Sequence, residues 1–344
     1  MPGFLLKICM YQVEMNMTLK QPGLTGKRGS TPYSQDTVKT LRDFRQFMKE
    51  EGLMPELQAL EHAQPVQGWI AILGNWLLIF ASWWLVVSVS FYFIPLTILL
   101  MGNRQRALSN LLHEASHCNL GKTLRAKSSA ADLFLAAPFF NSIIRYRELH
   151  REHHLHLGSD ERDPDFIHKE SYKNASPWRI MRDHIFNLKA VRGTLLGQFF
   201  KVTQRERVRM FLWWAVVLTV LALVSTPLNA LLFFAMWMFS IGTVYHSITM
   251  FREVSDHVGL EPGTLVGFSR NSPIKSLGTL FFHPHNNAYH LAHHMDQRVP
   301  FNRLPQAHKL FMKYPPYAAA HHCDGYFMGK HSLMNCWTGK CNHR

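Results

Sequence analysis

The sequence predicts an all-α integral membrane protein, with four transmembrane helices in two hairpins and a cytoplasmic helical cap carrying a histidine-rich dimetal site. Three observations point there. Two long windows, His62 to Asn103 and Phe211 to Phe251, contain no Asp, Glu, Lys or Arg. The 37 Lys and Arg, against 23 Asp and Glu, crowd into the segments between and beyond those windows. The 21 His, nearly as many as all the acids together, gather in three short clusters.

Composition removes the other classes. A chain of 344 residues that is 47 % hydrophobic, with 20 Gly and 17 Pro, is neither disordered nor fibrous. Five Cys are too few for a disulfide-stapled secreted domain. A net charge of +14 suits either nucleic acid or the inner face of a membrane. The uncharged windows decide for the membrane and against nucleic acid, and a mean hydropathy of −0.09 agrees with about half the chain lying outside the bilayer.

Five segments follow in order. Residues 1–65 form a cytoplasmic N-terminal segment. Phe4 to Met10 is too short for a secretory leader and is broken by Lys7, while Met10, Met15 and Met17 leave the true start open. From Ser34 to Ala63, Val38, Leu41, Phe44 and Met48 recur at helical spacing among charges. This is an amphipathic helix, lying on the membrane surface or packed on the cytoplasmic domain.

Residues 66–112 are the first hairpin, since a span needs ~20 apolar residues and the window holds about two. It runs from Trp69 through Val87, turns at Ser88 to Ser90 and returns from Phe91 to Leu111. Residues 113–210 are the first part of the cap, with a re-entrant stretch from Ala130 to Ile144 that is too short to cross. Residues 211–251 are the second hairpin, turning at Ser225-Thr226-Pro227, and residues 252–344 are the second part of the cap. Both hairpin turns lack Lys and Arg, whereas the flanks carry Arg104, Arg106, Arg145, Arg147, Arg205, Arg207 and Arg252. The positive-inside rule makes those flanks and both termini cytoplasmic.

The histidines then fall into place. His113 and His117 close the second span, His150, His153 and His154 follow, and His290, His293 and His294 come near the C-terminus. Positions i, i+3 and i+4 share a helix face, so each cluster aims two or three imidazoles at one point, as a metal requires. Zero or two full spans separate successive clusters, which puts all three on one side of the membrane. His257, at the end of the last span, adds a ninth nitrogen. Glu253 sits four residues before it, a candidate for binding through water, and Asp256, His285 and Asn286 are candidates for holding ligand imidazoles. Nine imidazoles exceed one ion's needs, and two ions sharing them keep open positions that suit O2 chemistry and iron more than closed zinc. His246, inside the fourth span, either lines a channel or packs. A second Cys/His-rich patch in the tail, with Cys323, Cys336, Cys341, His321, His322, His331 and His343, lacks a CxxC pair.

These clusters resemble the three histidine boxes, HxxxH, HxxHH and HxxHH, of the membrane fatty acid desaturase and hydroxylase superfamily. The resemblance covers about Gly68 to Phe311, including Asp163-Pro164-Asp165 and the run from Asn286 to Pro305. It is similar to the branch of bacterial acyl desaturases and sphingolipid desaturases, which implies a bacterial inner membrane. The resemblance implies two non-haem irons, O2 as co-substrate, a fatty acid or fatty-acyl substrate and an extra histidine matched by His257. Where the family often has Asn, this chain has Glu253. Hydrogen abstraction from an unactivated CH2 leads to desaturation, the leading expectation, or to hydroxylation. The tail from Tyr317 to His331 looks like that of the 1-alkene-forming fatty acid decarboxylases, which makes oxidative decarboxylation the alternative. No haem domain, no GxGxxG after a strand and no run of four spaced cysteines is present, so the electron donor is a separate ferredoxin, rubredoxin or cytochrome. Basic residues such as Arg145, Arg147 and Arg270 face lipid phosphates or hold a substrate anion. A non-enzymatic metal transporter or sensor also clusters histidines, but a transporter places polar ligands at the bilayer midplane, and the spans here are apolar there.

Overall fold

The computed structural model describes residues 35–62, 65–120, 131–166, 172 and 174–339. The candidate start methionines, Cys341 and His343 lie outside them. Two helices open the described chain, α1 (Gln35–Glu50) and α2 (Met54–Leu60). They are followed by α3 (Pro65–Ser88) and α4 (Ile94–Ser116), joined by a 3-10 turn at Phe91–Phe93. Next come α5 (Ile143–Leu155), α6 (Pro177–Ile185), α7 (Leu188–Leu196) and α8 (Gln204–Val224). After it α9 (Pro227–Ser240) runs through a π turn, Ile241–Tyr245, into α10 (His246–His257). Short elements complete the chain: β1 (Arg270–Asn271), α11 (Leu277–Phe282), α12 (His290–Met295), α13 (Leu304–Phe311), α14 (Pro315–Ala318), β2 (His321–His322) and α15 (Leu333–Trp337).

Both hairpin turns fall where the sequence puts them, and the capping chemistry says why. Ser90 accepts from Tyr92 N ahead of the 3-10 turn. Thr226 caps α9, with Pro227 in its first turn. Thr203 and Glu206 form a capping box that starts α8. Three stretches are long and apolar enough to cross a membrane: Met54–Ser88, Gln204–Val224 and Pro227–His257. The expected second span does not qualify. Arg104, Arg106 and the polar residues beyond them belong to α4, whose C-terminal half is buried in protein instead of facing lipid.

Aromatic residues fill the space between the long helices. Trp76 of α3 stacks on Trp237 of α9, centroids 5.4 Å apart and planes 4° from parallel. The indole N–H of Trp237 donates to Pro138 O, in the segment expected to be re-entrant. That segment is a π turn and a 3-10 turn, Asp132–Ala136 and Ala137–Phe139, largely buried against the same aromatics. Gly102 lets α4 approach the π turn of the last long helix. A Cβ there would lie 2.5 Å from Val244 Cβ and 3.0 Å from Tyr245 N. Gly102→Ala is therefore expected to destabilise the protein by ~1–3 kcal/mol, with part of the loss recovered by Val244→Ala. Equal melting temperatures for Gly102→Ala and parent would contradict this close approach.

Of the two readings of the amphipathic segment, the structure takes the second. Phe44, Met48 and Leu57 are fully buried among Leu291, Phe311 and Tyr314 of the cap. The tail also packs inward. β2 pairs in parallel with β1, and the Tyr317 hydroxyl accepts from Asn271 Nδ2 at 2.8 Å. Asn271 Oδ1 in turn accepts from Ala292 N in α12, so the stretch from Tyr317 braces the helix of the third histidine cluster.

Candidate metal centre

The nine histidines converge from four helices. His113 and His117 lie at the C-terminal end of α4, His150, His153 and His154 on α5, His257 at the end of α10, and His290, His293 and His294 on α12. Ser142 caps α5, and Asp132 Oδ1 accepts from Ile143 N, which sets the start of that helix. Arg147 on α5 donates to Ala115 O and Ser116 O at the end of α4, and so fixes the first cluster against the second.

The imidazoles sort into two groups. His113, His117, His150, His154 and His293 form one; His153, His257, His290 and His294 form the other, and within each the candidate ligand atoms lie within 4.8 Å of one another. All nine are buried. Nε2 faces Nε2 repeatedly, at 2.8 Å for His117 and His150, 2.9 Å for His150 and His154, and 3.1 Å for His154 and His293. In the second group the distances are 3.0 Å for His257 and His290 and 3.0 Å for His290 and His294. Bonds of ~2.1 Å to one ion at right angles place neighbouring nitrogens about 3.0 Å apart, so the donor set fits a pair of metal ions.

Four of the other ring nitrogens have partners outside the two groups. His153 Nδ1 donates to Asp163 Oδ1 at 2.8 Å, and His257 Nδ1 donates to Phe268 O at 2.7 Å. Burial pushes the Asp163 carboxyl up, but its bonds from His153 and from the Gly158 and Asp165 amides outweigh this and hold it below the usual carboxylate range. For His153 burial acts downward and Asp163 upward, with a net rise. Gln297 Nε2 lies 2.8 Å from His154 Nδ1, and Glu114 Oε1 lies 3.4 Å from His113 Nδ1.

The other sequence candidates lie as follows. Asp256 Oδ2 is 3.6 Å from His290 Nδ1 and 2.6 Å from Arg252 Nε. Glu253 is ion-paired with Arg252 at 2.7 Å. His285 meets Asn75 of α3 at 2.9 Å, and Asn286 donates to Phe301 O; neither joins the two groups. His285 does line a small cleft that reaches His113, His290 and His293. His246 packs, with Thr194 Oγ1 and Ile185 O on its two nitrogens. The sequence reading missed Gln297 and the Phe268 carbonyl, and it took Asp163 only as part of a motif. Asp163 stands ten residues beyond His153, outside any helical spacing, so only the Asp-Pro-Asp turn could have signalled it.

Burial also sets a pH response away from the two groups. It pushes His283 down to about 3 and His285 and His308 down to about 4. The folded protein therefore refuses protons that the unfolded chain accepts below its ordinary value near 6.5. Their contribution to stability is complete above ~6.5 and is lost as pH falls toward 3 to 4. Melting temperature is expected to drop steadily from pH 7 to pH 5, and a flat profile would contradict these burials.

The model of one protein family, described as fatty acid desaturase, matches residues 92–325, more than half of the chain. Among curated proteins, the dihydrorhizobitoxine desaturase of Bradyrhizobium elkanii is 28 % identical over 275 residues, which cover 74 % of this chain and 77 % of that protein.

Proposed function

The chain belongs to the fatty acid desaturase family, and from that premise we propose that it is a membrane-bound, O2-dependent oxidase that introduces a double bond into a fatty-acyl chain. The observation that carries this reading is the pair of adjacent all-histidine groups, five and four imidazoles, buried together. The balanced reaction takes two hydrogens from adjacent CH2 carbons, with O2, two electrons and two protons giving the alkene and two waters. Two non-haem irons, held by the nine imidazoles, would supply the redox chemistry that such unactivated carbons require. The electrons come from a separate ferredoxin, rubredoxin or cytochrome, and a basic cytoplasmic face favours an acidic one.

The chain's own residues do the positioning. Asp163 and the Phe268 carbonyl fix the Nδ1 protons of His153 and His257, leaving the Nε2 lone pairs pointing inward. Arg147 locks α4 to α5, and the tail from Tyr317 supports α12 through Asn271. Buried surroundings keep bulk water from the imidazoles. Four spans, with the groups at their cytoplasmic ends, complete the reading, α4 serving as the second span despite its buried polar half. A transporter is disfavoured, because the histidines sit at helix ends and in the cap. The comparisons lend desaturation support that they do not lend decarboxylation.

Expression in a heterologous host, with gas chromatography of membrane fatty acids and headspace volatiles, tests the reaction. New internal double bonds are expected. A hydrocarbon one carbon shorter than the acid would move the reading to decarboxylation, and hydroxy acids would move it to hydroxylation. Metal analysis should find two irons per active chain; fewer would sink the dimetal reading.

A further inference from the structure

The two histidine groups differ in what surrounds them. In the four-histidine group, two imidazoles have Nδ1 committed to oxygens that only accept, the Asp163 carboxylate and the Phe268 carbonyl. A third, His290, has Arg252 Nη2 at 3.3 Å and Asp256 Oδ2 at 3.6 Å from its Nδ1, and Glu253 lies on the same helix as Asp256 beside Arg252. The His153 and His257 rings are thereby fixed in the tautomer that binds a cation through Nε2.

The five-histidine group has more nitrogens and less support. His293 Nδ1 is buried without a hydrogen-bond partner. His154 Nδ1 faces an amide, whose Nε2 donates to it, which would leave the proton on the nitrogen that a metal needs. The Gln297 side chain has to turn over and present Oε1 before His154 binds through Nε2. Glu114 Oε1 lies 3.4 Å from His113 Nδ1 while its Oε2 accepts from Phe301 N and Asn119 Nδ2, and the Arg147 guanidinium is anchored at the end of α4.

We propose that the two metal positions are inequivalent and fill in order, the four-histidine position first and more tightly, and the five-histidine position second, coupled to rotation of the Gln297 amide. This rests on the dimetal reading above. A carboxylate behind a ligand imidazole raises its basicity, and its loss typically costs ~10–100-fold in metal affinity. Asp163 is thus a positioning residue for the first metal, and Gln297 for the second.

Co2+ titration of the full-length, metal-stripped protein in detergent, followed by visible absorption and by direct metal analysis, tests this without any turnover. Two phases of one equivalent each are expected. The tight phase should survive His117→Ala and vanish in His257→Ala. Asp163→Asn should weaken the tight phase by ~10–100-fold and leave the weak one in place. Gln297→Glu, which presents an acceptor in either rotamer, should strengthen the weak phase and narrow the gap, giving a test that does not depend on Asp163→Asn folding. A tight phase that survives His257→Ala and vanishes in His117→Ala, or a single phase unaffected by either substitution behind the ligands, overturns the order. Fewer than two Co2+ per folded chain overturns the dimetal reading itself, and the order with it.

Discussion

Replacing His153 by alanine is expected to reduce product formation below about 1 % of the parent, a larger loss than the ~10–100-fold that removal of an outer partner brings. Two effects act together. The four-histidine group would fall to three imidazoles, His257, His290 and His294. Asp163, whose side chain is wholly buried, would also lose the ring that its Oδ1 faces at 2.8 Å. Oδ1 would keep only its bond from Asp165 N, and a lost hydrogen bond to a charged group costs ~1.5–3 kcal/mol, so the variant should also melt earlier. Metal analysis separates the effects, with the expected variant retaining about one metal per chain. Full activity in His153→Ala would end the case for a site built from both groups.

Asp296→Ala is expected to be the most damaging substitution outside the imidazoles. Asp296 stands two residues beyond His294, its side chain 2 % exposed, between Arg45 at 2.8 Å and Arg298 at 3.0 Å. Arg298 also pairs with Glu61. Three elements meet in this one buried network: α1 through Arg45, the residue after α2 through Glu61, and the chain leaving α12. Opposed charges hold Asp296 down at about 2, since Arg298 and Arg45 outweigh its burial. Removing the acid leaves the Arg45 and Arg298 guanidinium groups to share Glu61, and breaking a buried pair from one side costs ~3–5 kcal/mol. The lower end applies because Arg45 and Arg298 are 24 % and 31 % exposed. Thermal denaturation in detergent should show the loss, with faster proteolysis within residues 35–62. Unchanged stability and proteolysis would mean that α1 and α2 are held by apolar contacts alone.

How far the sequence speaks depends on whether a feature is local. Both hairpin turns are legible because Ser90 and Thr226-Pro227 act within a few residues of themselves. The histidines are legible because spacing on a helix fixes direction. The fate of α4 is not, since Arg104 and Arg106 look like the end of a span until Asn103 is seen to donate to Phe281 O and Arg106 to Asn110. These partners lie on the same buried side, one far along the chain. The same holds for Phe44 and Met48, whose pattern suits either a lipid surface or a protein one. Gln297 and the Phe268 carbonyl are invisible for a related reason: a backbone oxygen carries no side-chain signal, and a glutamine after a histidine cluster has many ordinary uses.

The division of the imidazoles has its own consequence. In every box the residues at i and i+4 enter the same group, as His113 with His117, His150 with His154, and His290 with His294. The residue at i+3 crosses to the other group, His153 one way and His293 the other. At 100° per residue, i+4 turns back to within about 40° of i, while i+3 falls about 60° to the opposite side. Helices α5 and α12 are therefore each shared between both positions, like two interlocked links. Neither the second nor the third box can be deleted without breaking both positions, whereas the first box lies wholly in the five-histidine group, and a twist of α5 or α12 moves both positions at once. A one-metal redesign of this scaffold would therefore give up the first box and keep α5 and α12 whole.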